Sequence, residues 1–142
     1  MGMTKRQRRV GVLINHAALL LLLVVWYGSP FAGLSEALRI AGALVPLIIV
    51  GISYYVIHLA TGLWALVHAR PADLDERQIG ITLLAARFSY AVFSVLCLLA
   101  LFGAAVAGNH GIILFDAILP ACMLYLAHTL PSSYLAWVEK EV

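Results

Sequence analysis

The sequence predicts an all-α integral membrane fold, a four-helix bundle of two transmembrane hairpins forming a single domain over 1–142, and three observations carry that prediction. Hydrophobic residues fill 63% of the 142 positions and charged residues only 11%, against about 25% charged in soluble domains. The apolar residues are gathered into runs long enough to cross a hydrocarbon core of about 30 Å. The charges are gathered as well, in Lys5, Arg6, Arg8 and Arg9 near the start and Arg70, Asp73, Asp75, Glu76, Arg77 and Arg87 in the middle. No basic, aromatic-interleaved patch points to nucleic acid. Cys97 and Cys122 stand apart in apolar runs, which reads as two buried free thiols rather than a disulfide framework.

The first span is expected over about 10–27. The basic cluster ahead of it resembles the charged head of a signal peptide. The run is nevertheless about 18 residues long, close to a full crossing, and Gly28-Ser29-Pro30-Phe31 is a poor cleavage site. A retained helix is therefore expected. Gly28 to Leu34 reads as a loop, Ser35 as the cap of the next helix, and Glu36 as a negative charge in its first turn.

Helix two is expected to run to His68 with its apolar part over about 40–67. That part would be about 42 Å long at 1.5 Å per residue, more than the bilayer requires. Pro46, which lacks the N–H that bonds one turn back, is the expected kink. Pro71 then stops the helix, leaving 68–87 as a cytoplasmic segment. Asp73 and Glu76 have capping-box spacing, and Asp73 and Arg77 are i,i+4 partners, so helix three is expected to start near Leu74 and to enter the membrane over about 88–107. Gly108-Asn109-His110-Gly111 reads as a turn. The fourth span is expected over about 112–130, with Asp116 early, Pro120 one turn later, and Pro131-Ser132-Ser133 breaking or bending it. Tyr134 and Trp137, beside Glu139, Lys140 and Glu141, suit a headgroup interface.

Lys and Arg set the orientation. Eight of them fall on one side of a four-span chain and only Arg39 on the other, so the protein is expected in a cytoplasmic (inner) membrane with both termini and the 68–87 segment in the cytoplasm.

Two pieces of the second half carry a resemblance: Leu74-Asp75-Glu76-Arg77 with Ala86 and Tyr90 downstream, and Leu130-Pro131 followed by Ala136-Trp137 and acidic residues. The chain resembles a loose group of small uncharacterised bacterial integral membrane proteins with a juxtamembrane D-E-R motif and an L-P…A-W ending. The resemblance implies a four-span inner-membrane protein with no assigned reaction. Gln78 departs from the pattern, which has an acid there.

Candidate sites follow from the few polar residues in apolar surroundings. Asp116 is an ion-coupling candidate, because a carboxylate in lipid is costly without a job or a partner. Its plainer reading is a charge placed at a helix N-terminus. His58 and His128 lie at matching depths and could ligate a haem iron or another metal; hydrogen bonding between helices explains them as well, as it does Asn15 and His16. Arg87 either snorkels to the headgroups, pairs with Glu139 or binds an anionic lipid. Ala100, Ala104 and Gly108 form a small-residue ridge suited to close helix approach.

No nucleophile–base pair, phosphate cradle or metalloprotease motif is present, so no enzyme, cofactor or metal is expected. The leading expectation is a non-catalytic membrane protein in the lipid bilayer that acts through protein partners, a membrane protein or further copies of itself, with Asp73, Asp75, Glu76, Arg77 and Arg87 as its partner or lipid contacts. A small oligomeric transporter or ion-coupled subunit using Asp116 is one alternative. A haem- or metal-binding redox subunit using His58 and His128 is another.

Overall fold

The computed structural model describes residues 3–109 and 116–139. They form five helices, α1 (Lys5–Gly28), α2 (Glu36–Tyr54), α3 (Leu63–His68), α4 (Glu76–Asn109) and α5 (Ile118–Val138), with no strand among the described residues. Three segments, Lys5–Gly28, Glu36–Leu59 and Glu76–Asn109, are long and apolar enough to cross a membrane. Three of the expected four spans meet this measure among the described residues, and the fourth, expected over about 112–130, begins outside them. In the second half of α5, Thr129, Ser132 and Ser133 are buried, so that its hydroxyl-bearing face turns into the bundle. Gly108 and Asn109, expected in a turn, still belong to α4. The rest of that turn, the start of the expected fourth span at 112–115, and Lys140 and Glu141 lie outside the described residues.

Each helix start has a local cause. Thr4 accepts the Gln7 amide at 3.3 Å while the Gln7 side chain takes the Thr4 amide at 2.8 Å, a reciprocal cap worth about 1 kcal/mol. α1 therefore opens at Lys5, ahead of the apolar run, and the basic cluster rides on its first turns. Ser35 caps α2 as expected, accepting from Leu38 at 3.4 Å. The cap of α4 is shifted by two residues from the expected one. Asp75 accepts the Gln78 amide at 2.7 Å and Gln78 returns to the Asp75 amide at 3.1 Å, while Asp73 sits in the preceding 3-10 turn Pro71–Asp73. Outside the helix, Asp73 has no i,i+4 relation to Arg77.

Helix two is interrupted, though not at Pro46. α2 runs through Pro46 and then widens into one π turn, Tyr55–Leu59, where the Ala60 amide reaches the Tyr55 carbonyl at 2.9 Å. Gly62 follows at φ +76°, a left-handed conformation that glycine adopts without a Cβ penalty, and the chain leaves the helix axis there. α5 likewise runs through Pro131 to Val138. A proline removes one bond from the ladder, and the packed neighbours of both helices hold the rest in place.

The helices pack in the order α2, α1, α5, α4, with α3 lying across α5 and α4. One core, around Val12, Ile57, Leu63, Ala85, Leu135 and Ala136, joins α1, the π turn, α3, α4 and α5. A second, around Ala18, Leu22, Ala43, Val50 and Cys122, joins α1, α2 and α5. Gly11 makes the first possible: a Cβ there would lie 2.7 Å from the buried Ile57 side chain. α4 is different, for along its whole length only Ala85 and Ser89 are buried.

Candidate functional site

The polar side chains of this apolar bundle converge on α5. At one end, three of the four cations of the α1 start reach the last carbonyls of α5: Arg9 to Trp137 at 2.9 Å, Lys5 to Val138 at 3.2 Å and Arg8 to Glu139 at 2.8 Å. Those carbonyls have no partner within the helix and carry the negative end of its dipole. Arg8 is almost wholly buried, at 2% exposure, and Arg9 also lies over the Trp137 ring at 4.9 Å. Glu139 is buried in turn and pairs with Arg77 of α4. Arg77, not Arg87, is thus the partner of Glu139; the α4 cap places Arg77 in the first turn, level with the end of α5.

At the other end Asp116 closes the opposite pole. Its carboxylate accepts from Trp26 Nε1 at 2.6 Å, from the Tyr27 hydroxyl at 2.5 Å and from the Ile118 amide at 3.0 Å. The last turn of α1 is thereby tied to the first turn of α5, where a negative charge meets the positive end of the helix. Between the two ends, Asn15 donates to Ser53 Oγ at 2.8 Å and exchanges hydrogen bonds with the Tyr125 hydroxyl at 2.7 and 3.0 Å. Asn15 is fully buried, and it links α1, α2 and α5 in one network.

The histidines divide. His58, in the π turn, is fully buried and its Nδ1 is 2.8 Å from Ser132 Oγ. That hydroxyl donates to the Thr129 carbonyl at 3.0 Å, so it accepts from His58 Nδ1–H, and His58 Nε2 has no protein partner. His128 is exposed, bonds back to the Leu124 carbonyl at 2.9 Å, and stacks on Trp64 with ring centroids 6.3 Å apart. Tyr54 contacts both His58 and Trp64. The structure therefore links His58 to Ser132 and His128 to Trp64. Among the described residues no group of three His, Cys, Asp or Glu side chains could hold a metal ion.

The remaining candidates lie at the head of α4. Asp73, Asp75, Glu76, Arg77 and Arg87 are all exposed, with Asp75 engaged as the cap and Arg77 with Glu139. Of the small ridge of Ala100, Ala104 and Gly108, Ala100 shares a hollow with Pro120, Met123 and Leu124 of α5, whereas a Cβ on Gly108 would contact nothing among the described residues. Reasoning from sequence missed the roles of Arg8 and Arg9 and offered Glu139 to Arg87 rather than Arg77, and two readable local signals, Thr4-x-x-Gln7 and Asp75-x-x-Gln78, were missed as well. No protein-family model, curated protein or solved structure matches this chain.

Proposed function

We propose that the chain is a four-span protein of a cytoplasmic membrane that does no chemistry of its own and acts through a membrane-protein partner docked on α4 and its charged head. One observation carries the reading: among the described residues α4 is the long helix that buries least, with only Ala85 and Ser89 buried. It has 34 residues, about 51 Å at 1.5 Å per residue, so it rises well beyond a hydrocarbon core of about 30 Å. Its side away from α5 is lined by exposed Leu83, Leu84, Val95, Leu98, Leu99 and Phe102. The exposed acids Asp73 and Glu76 sit at its projecting start, so the fitting partner is a helix with Lys or Arg at headgroup level. In this reading both termini are cytoplasmic, the fourth span comprises α5 with the residues before it, and the lipid bilayer covers the remaining apolar surface.

The ion-coupled reading through Asp116 has less support, because three donors already occupy that carboxylate. The redox reading through His58 and His128 has less support, because His58 is fully buried against Ser132 while His128 is exposed and stacks on Trp64. The test of the preferred reading is a photocrosslinker placed at Leu98 in native membranes, with Asp73→Lys and Glu76→Lys combined as the perturbation. A discrete adduct that the charge reversal abolishes is expected. An adduct pattern that charge reversal leaves unchanged would sink the proposal.

A further inference from the structure

A second feature, independent of the α4 face, lies in the groove where α1, α4 and α5 meet. Val12 and His16 of α1, Phe88 of α4, and Leu130, Ser133 and Trp137 of α5 line an apolar hollow of about 400 Å³, with Tyr134 beside them. That volume lies in the range of small-molecule sites, about 300–1,000 Å³. Two polar atoms in its wall have no protein partner, His16 Nε2 and Ser133 Oγ. Ser133 is only 5% exposed, and a buried polar atom without a partner is costly enough to call for one.

The chemistry of each atom is fixed by its neighbours. His16 Nδ1 lies 2.8 Å from the Val12 carbonyl, which can only accept, so Nδ1 carries the proton of the neutral ring. Nε2 is therefore a bare lone pair that asks for a donor. Ser133 offers a hydroxyl that can donate or accept. The surrounding walls are flat rings, those of His16, Phe88, Tyr134 and Trp137, with Phe88 and Tyr134 at 4.9 Å between centroids. His16 is seven residues along α1 from Arg9, which stacks on Trp137, so the lone pair lies about 10 Å inward of the charged end. That depth is below a phosphate headgroup and suits a ring that partitions into the hydrocarbon.

We propose that this groove binds a lipophilic aromatic alcohol, an alkylated phenol or quinol, whose hydroxyl donates to His16 Nε2 and whose ring lies among Phe88, Tyr134 and Trp137, with Ser133 meeting its oxygen. An aliphatic lipid would satisfy neither the lone pair nor the ring-lined walls. The experiment is equilibrium binding to the full chain in lipid nanodiscs, corrected by empty nanodiscs, with 4-decylphenol and 4-decylanisole as probes. The two differ in the one O–H donor. The phenol is expected to bind about tenfold more tightly than the ether, the worth of one hydrogen bond. His16→Ala is expected to abolish that preference while leaving the binding of the ether unchanged within about twofold. Equal binding of phenol and ether to the unaltered protein overturns the proposal without reliance on any variant. So does saturable binding that His16→Ala and Ser133→Ala leave unaltered.

Discussion

The two ends of α5 are tied to the same helix, α1, by opposite chemistry. At the end of α5 the orphan groups are carbonyls, and Lys5, Arg8 and Arg9 bring cations to them. At its start the orphan groups are amides, and Asp116 supplies a carboxylate that the end of α1 holds through Trp26 and Tyr27. Antiparallel packing makes this economical, because the start of one helix always lies beside the end of its neighbour. The two ends differ in how they are held. The cationic end rests on long side chains with charge to spare, whereas the aromatic end rests on a single carboxylate that three donors share. Loss of one group should therefore matter more at the aromatic end.

Asp116→Ala gives the largest expected effect. It removes the acceptor that the Trp26 and Tyr27 side chains share and the cap of the Ile118 amide, which should cost about 3 kcal/mol at about 1–1.5 kcal/mol per hydrogen bond, scaled for a part-exposed site. Asp116→Asn keeps an acceptor oxygen and loses the charge, so it should cost only about 1 kcal/mol. Reversible unfolding in mixed micelles measures both. Equal losses for the two variants would mean that charge, rather than hydrogen bonding, holds this end, and would reopen an ion-binding reading of Asp116.

At the cationic end the losses should be graded by burial. Arg8→Ala removes a buried charge-assisted bond to the Glu139 carbonyl and should cost about 2 kcal/mol. Lys5→Ala removes an exposed bond to Val138 and should cost no more than about 0.5 kcal/mol. Arg9→Ala belongs between them, since it also gives up the contact with Trp137. The same unfolding assay orders the three. A Lys5 variant as damaging as the Arg8 variant would show that net charge near the α5 terminus matters more than the buried contact.

How much of this was readable in the sequence follows from the distance along the chain between partners. Ser35 and Glu36 marked the start of α2 because a cap and its helix are adjacent, and Pro71 marked the end of α3 for the same reason. Thr4–Gln7 and Asp75–Gln78 are equally local, but the first is embedded in a basic cluster and the second overlaps the acids at 73 and 76, which have the same spacing. The ties that define the bundle were hidden for a physical reason. Asn15 meets Tyr125 across 110 positions and Arg8 meets Glu139 across 131, and no periodicity within either helix encodes the other. Gly62 was hidden too, since glycines are frequent throughout the chain and only the backbone angle singles this one out. Pro46 and Pro131 do not end their helices, because a proline removes only one bond of a ladder that the neighbouring turns keep.

The finest comparison concerns which arginine of α4 joins the cationic end. Glu139 is 3% exposed while the Arg77 side chain is 62% exposed, so solvent screens one partner and the pair is worth far less than a fully buried one. A double-mutant cycle on Arg77→Ala and Glu139→Gln should return a coupling of about 1 kcal/mol, whereas the same cycle with Arg87→Ala should return about zero. Raised salt should shrink the first coupling, because water reaches the guanidinium. The cycle also bears on the partner surface. If Arg77 is spent inside the bundle, its loss should loosen the head of α4 without touching a docked partner, and Arg87, ten residues further along the helix, should remain free to meet headgroups. Coupling of Arg87 to Glu139 would instead mean that α4 can slide along α5 by several turns, and the bare face of α4 would then be a sliding surface rather than a fixed one.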